Sequence, residues 1–339
     1  MRYGHAIVIS VVSAGLLAAA PAAFAANARD CPDVADPPAA VCQPATHGLA
    51  YADTQDDVRL AATALDAAAV QFGEIFGRSL PPGLLVLSST FSGDDAQQFA
   101  QTHGLSFAQS WLSPADKRAQ IEILMRRATP DADAARMESI FSQIEAQHVD
   151  TLRHELGHAQ YRAAFWPDAA PSPDAYGTPA PDWLDEASAV LMEGRPGRAL
   201  RERHFLEAWR QSSPAIQPLA EFLTMAHPVT AQKRALMQAQ SGTQTASGVQ
   251  VMAMRGPDAD AGGMFYSQSL LFADSLIDAS PDPQVLGMIS AALSDGVDFS
   301  DWLTDNGARH GLPTDVTALQ HAWDIWCEAR ATAASGAAG

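Results

Sequence analysis

The stretch His154-Glu-Leu-Gly-His158 constrains this chain more than any other. Two histidines four residues apart work together only if the backbone between them is helical, because a helix places both rings on one face, about one turn apart. Two neutral imidazoles held that way can share one zinc ion. Glu155 stands beside the first histidine, turned roughly 100° around the axis, where its carboxylate reaches a water on the open side of such an ion. The ordinary alternative is a polar helix face. A third ligand at a suitable distance separates the two readings.

The chain opens with a short basic start, Met1-Arg-Tyr-Gly-His5, then an apolar run from Ala6 to Ala20 and the small-residue end Ala23-Phe24-Ala25. This pattern predicts a secretory signal peptide, residues 1–25, cleaved after Ala25. Pro21 and the small residues argue against a membrane anchor, and Cys31 is not preceded by a lipid-attachment pattern. No later stretch is long and apolar enough to span a bilayer. The mature chain is therefore expected to be periplasmic or secreted, with no membrane insertion after the leader is removed. The full sequence has 21 Lys and Arg against 39 Asp and Glu, a net charge of −18, which repels nucleic acid and anionic membranes. Of the three cysteines, Cys31 and Cys42 lie close together, and an oxidising compartment allows them to pair. That leaves Cys327 over, although pairing with Cys327 stays open. No CxxC spacing offers a cysteine metal site.

Hydrophobic periodicity predicts an α+β fold. Residues 26–53, rich in Pro, Ala and Asp, read as an extended lead-in. A folded domain, 54–330, follows. It divides into an α/β lobe with the motif helix, 54–165, and a mostly helical lobe, 182–330. Residues 331–339 read as a flexible tail. In the first lobe, Asp56–Arg78 has a helical apolar stripe, Leu84–Leu87 reads as a buried strand and Asp94–His103 as a short helix. The alternation of Ile121, Ile123 and Met125 predicts a second strand over Ala119–Met125, at the edge of a small mixed sheet bordering the cleft. One helix or two then lead into the motif helix, which should end near Phe165. Pro167–Pro181 is too rich in proline for regular structure. Beyond it, Trp183, Leu184, Ala187, Val190 and Leu191 recur at helical spacing until Gly194-Arg-Pro196 stops the run. Residues 240–263 read as a loop, and Met264–Ile277 as a helix introduced by Gly262-Gly263.

The second apolar helix carries a candidate third ligand. A catalytic zinc takes three protein ligands and leaves one position for water, and two histidines with one glutamate form a known set. Asp182, Asp185, Glu186 and Glu193 all lie on this run. An HExxH helix followed by Trp183-Leu184-Asp185-Glu186-Ala187 resembles the gluzincin class of zinc metallopeptidases, in particular exported peptidase domains of the MA-like type. The resemblance implies that Glu186 joins His154 and His158 on the metal. The interval of 27 residues between His158 and Glu186 is longer than in thermolysin-like and aminopeptidase families, and Ala187 stands where glycine is common. The metzincin pattern requires glycine and histidine where this chain has Tyr161 and Ala164.

The resemblance further implies a zincin-like fold, one Zn2+ ion and a peptide or protein substrate. Glu155 would act as general base, and Tyr266, at the start of its helix, as a donor to the developing oxyanion. His204, His227 and His310 compete for the donor role, each reading otherwise as a surface or core histidine. Asp150 or Asp185 is the candidate to orient a metal-binding imidazole. The amine-binding Gly-x-Met-Glu-Asn stretch of aminopeptidases is missing, which favours an endopeptidase. A silent binding protein on a peptidase scaffold, or a zinc hydrolase of non-peptide amides, are the competing readings. Nothing in the sequence specifies the oligomeric state.

Overall fold

The computed structural model describes residues 30–128, 133–169, 177–230 and 257–336, with the backbone of Val8–Val11 and Val251–Met254. Val8–Val11 (β1) pairs antiparallel with Val251–Met254 (β6). The rest of the expected leader, residues 26–29 of the lead-in, the loop segments 170–176 and 240–250, and residues 337–339 of the tail lie outside the described residues. No described helix is long and apolar enough to cross a membrane.

The architecture is α+β: a small four-stranded mixed sheet followed by helices. Val41–Ala45 (β2) and Gly48–Ala52 (β3) form an antiparallel hairpin. Gly83–Leu87 (β4) pairs parallel with β3, and Phe107–Trp111 (β5) parallel with β4, in the order β2-β3-β4-β5. The hairpin corrects the reading of 26–53 as an extended lead-in: Leu49 and Tyr51 belong to the core. Cys31 and Cys42 are joined by a disulfide, which ties the preceding segment to β2, and Cys327 is free and buried.

Both faces of the central strands are covered, so β4 reads Leu-Leu-Val-Leu without polar alternation. Leu49, Tyr51, Leu84 and Val86 face Gly93–Thr102 (α2) through Ala96 and Ala100. Ala50, Ala52, Leu85 and Leu87 face Gln55–Phe76 (α1). Thr54 caps α1 by accepting from the Asp57 N–H, and Gly77, at φ 65°, ends it in the left-handed conformation.

Phe107–Trp111 is an edge strand, and the strand expected at Ala119–Met125 is part of a helix, Pro114–Ala128 (α3). Ser113 accepts from the Asp116 N–H at 3.1 Å, a helix start signal. Ile121 and Met125 are buried while Ile123 is 52% exposed, a period of four rather than two.

Ala134–Ala146 (α4) and His148–Phe165 (α5, the motif helix) are two helices meeting at Gln147. Helices α1 and α5 run through both lobes. Val58 to Ala68 of α1 and Leu152 and Leu156 of α5 pack with the sheet. Phe72, Phe76, Tyr161 and Phe165 pack with the helical lobe. The histidine motif thus sits at the seam between the lobes. The helical lobe comprises Asp182–Val190 (α6), Arg195–Arg210 (α7), Leu219–Phe222 (α8), Pro257–Ala279 (α9), Val285–Ser294 (α10), Phe299–Asn306 (α11) and Val316–Gly336 (α12). Two boundaries differ from expectation. Helix α9 already begins at Pro257, so Tyr266 lies inside it, and α12 continues through 331–336, where Ala331 is buried.

Candidate metal centre

Helix α6 lies against α5 because Gly157, inside the motif, has no side chain. A Cβ there would stand 2.6 Å from Ala189 Cα and 2.9 Å from Ser188 O. The close approach lets Glu186, on the first turns of α6, meet the two histidines. Donor atoms of His154, His158 and Glu186 all lie within 4.8 Å of one another. His154 Nε2 is 3.2 Å from Glu186 Oε1, and His158 Nε2 is 3.8 Å from Oε2.

Each imidazole is oriented from behind by a carboxylate. His158 Nδ1 meets Asp185 Oδ1 at 2.6 Å, and His154 Nδ1 meets Glu193 Oε1 at 3.0 Å. With Nδ1–H donating to these oxygens, the Nε2 lone pair of each neutral ring is turned to Glu186. The carboxylates are fixed in turn. Asp185 Oδ2 accepts from the Thr178 N–H and hydroxyl, both at 2.6 Å, and Glu193 accepts from Arg201 Nε at 2.8 and 2.9 Å.

The rival ligands are therefore engaged elsewhere: Asp185 and Glu193 behind the histidines, and Asp182 with the His227 N–H at 2.6 Å. Asp150 accepts from the Gly194 N–H at 2.8 Å, so of the two proposed orienting groups Asp185 meets an imidazole and Asp150 a backbone amide.

Glu186 is 0% exposed, and neither of its oxygens has a hydrogen-bond partner among the described residues. The His154 contact is close enough for an ion pair but lacks hydrogen-bond geometry. A buried carboxylate without donors demands a cation. In the metal-free chain the imidazoles meet that demand. Burial opposes charge on His154, yet Glu186 and then Glu193 outweigh it and raise its pKa to about 10. Burial likewise opposes charge on His158, which Asp185 and then Glu186 raise. Burial alone would raise Glu186, but His154, then His158 and His227, hold it down to about 2. A divalent cation bound to the three side chains would replace those protons. The donor set, two imidazole nitrogens and one carboxylate, could hold a metal ion.

Glu155 is half-buried on the neighbouring stripe of α5. Tyr266 is 5.7 Å from the His154 ring, centroid to centroid, and lies 4.9 Å beneath the Arg201 guanidinium. Of the three histidines that compete with Tyr266 for the donor role, His227 is the one beside Glu186. It is buried, with Nε2 3.7 Å from Glu186 Oε2 and its ring 5.2 Å from that of Tyr266. The Val229 N–H donates to its Nδ1 at 3.2 Å, so the neutral ring carries its proton on Nε2, toward the centre. No motif marks it; His227-Pro228 arrives from the segment after α8 by tertiary folding alone. His204 meets the Ser267 hydroxyl at 3.1 Å, and His310 stacks on Trp302. A hollow of about 870 Å3 lined by Trp209, Gln217 and Trp323 contains none of the centre's residues.

Comparison with known proteins finds no matching family model, no matching curated protein and no matching solved structure.

Proposed function

We propose that this chain is an exported zinc hydrolase with a zincin-like fold that cleaves peptide bonds. The observation that carries the reading is the buried, donor-free carboxylate of Glu186 facing the Nε2 atoms of two imidazoles whose Nδ1 atoms are held by acids. When bound to His154, His158 and Glu186, zinc supplies Lewis acidity, lowering the pKa of water and polarising a carbonyl. Glu155 then accepts the proton of the attacking water and passes it to the leaving amine. Tyr266 and His227 are the candidate donors to the oxyanion that develops at the carbonyl. Asp185 and Glu193 keep the imidazoles turned, and Arg201 keeps Glu193 ionised. The leader sequence and the Cys31–Cys42 disulfide, a bond formed in oxidising compartments, support export.

Both histidines, Glu155 and Glu186 are intact in the sequence, so no observation favours a silent binding protein. The test is zinc content and peptide cleavage in wild type beside Glu155→Gln. Retained zinc with cleavage lowered at least about 100-fold supports the assignment of the base. Undiminished cleavage by Glu155→Gln, or wild-type protein that binds no zinc, would overturn it.

A further inference from the structure

Glu155 has a second neighbourhood. His148 lies seven residues before it on α5 and hence on the same stripe of the helix, about 10 Å along the axis. Lys117 of α3 acts electrostatically on both Glu155 and His148, and its Nζ stands 6.0 Å from the ring centroid of Trp111 on the edge strand. Lys117 is 2% exposed, His148 3% and Trp111 1%. These groups are short of acceptors. Among the described residues, neither ring nitrogen of His148 nor the indole N–H of Trp111 has a hydrogen-bond partner. No carboxylate of the described residues comes within ion-pair distance of Lys117, with Glu155 acting only from farther off. A buried ammonium and two idle polar rings, drawn together in a chain of net charge −18, are costly unless an anion joins them.

We propose that Trp111, Lys117 and His148 form a pocket for the free C-terminal carboxylate of the peptide substrate, so that the enzyme releases a short C-terminal fragment. The inference rests on the hydrolase reading above and narrows its substrate. Glu155 delivers its proton to the leaving amine, so the leaving fragment lies along the Glu155 stripe. Two to three extended residues span about 7 to 10 Å, which compares with the step of about 10 Å from Glu155 to His148. The sequence lacks the amine-binding stretch of aminopeptidases, and recognition of a free C-terminus is compatible with that. The pocket therefore replaces internal cleavage, favoured on that absence alone, with cleavage near the C-terminus.

The test compares a dipeptide, Phe-Ala, with its C-terminal amide by titration calorimetry against Glu155→Gln protein, with and without zinc. The carboxylate form should bind at least about tenfold more tightly in both states. Adding Lys117→Met should abolish that preference while circular dichroism and zinc content are unchanged. Should Lys117→Met fail to fold, His148→Gln should weaken the preference about fivefold. Equal affinity for the two ligands, binding of neither, a preference seen only with zinc bound, or one that survives both substitutions would overturn the pocket. Failure of the hydrolase reading shows separately, as wild-type protein that cleaves no peptide.

Discussion

On α5, His154 and His158 each meet a carboxylate from the helical lobe at Nδ1, whereas His148, six residues before His154, feels the charge of Lys117 from the sheet lobe. All three rings are largely buried, and burial opposes charge on each. Their neighbours decide the outcome. Glu186 and Glu193 raise His154 to about 10, while burial and then Lys117 push His148 down to about 4. One helix thus carries an acid-lined face that concentrates positive charge and a basic stripe that excludes it, with Glu155 between them. The contrast teaches that a histidine's role on a helix is set by which lobe packs against it. The acid-lined face can exchange its protons for a divalent cation, and the basic stripe can take an anion.

The largest expected effect comes from separating α5 from the lobe that supplies its acids. In Gly157→Ala, the new methyl would press on Ala189 and Ser188 backbone atoms rather than on a flexible side chain. The expected cost is about 3 kcal/mol of stability, at the upper end for overpacking. Zinc affinity should fall with it, because Glu186 retreats from the imidazoles. Urea unfolding and metal content measured on the same preparation check both effects. Wild-type values of both would show that the close helix contact is dispensable.

A smaller change leaves the helices in place and makes one acid neutral. Asp185→Asn keeps the shape behind His158 but loses the charge that orients and activates the ring. Zinc affinity should fall about 10- to 100-fold, the usual effect of losing such a partner. Competition with a chromophoric chelator measures it. An unchanged affinity would place the orientation of His158 elsewhere.

The motif was legible because its signal is local: two residues on one helix face need only the helical period. Glu186 was legible at one remove: the apolar spacing of Trp183, Leu184 and Ala187 gave the helix but left Asp182, Asp185 and Glu193 as rivals, and only the resemblance of Trp183-Leu184-Asp185-Glu186 to the gluzincin pattern singled it out. The basic stripe was not. Lys117 lies in α3, of which Ala119–Met125 was misread as a strand because Ile123, 52% exposed, supplied a false alternation. The hairpin before α1 was hidden by small residues and by Pro44, which an edge strand tolerates. His227 reaches the centre through a connection no periodicity describes.

The smallest effect concerns His148 alone. Its folded pKa of about 4 lies below the unfolded value near 6.5, so the unfolded chain binds more protons as the pH falls between those limits. His148 therefore costs nothing above about pH 6.5 and destabilises the fold progressively toward pH 4. At pH 5.5 the difference is about one pH unit, or roughly 1.4 kcal/mol. His148→Leu, which removes both the titrating group and the idle nitrogens, should regain that amount at pH 5.5. At pH 7.5 only the relief of the unmet polar atoms would remain. Denaturant midpoints for the two proteins at both pH values give the comparison. If the gain does not grow on acidification, the ring already carries a proton in the folded chain, and the division of α5 into acid-lined and basic sides is wrong at its basic end.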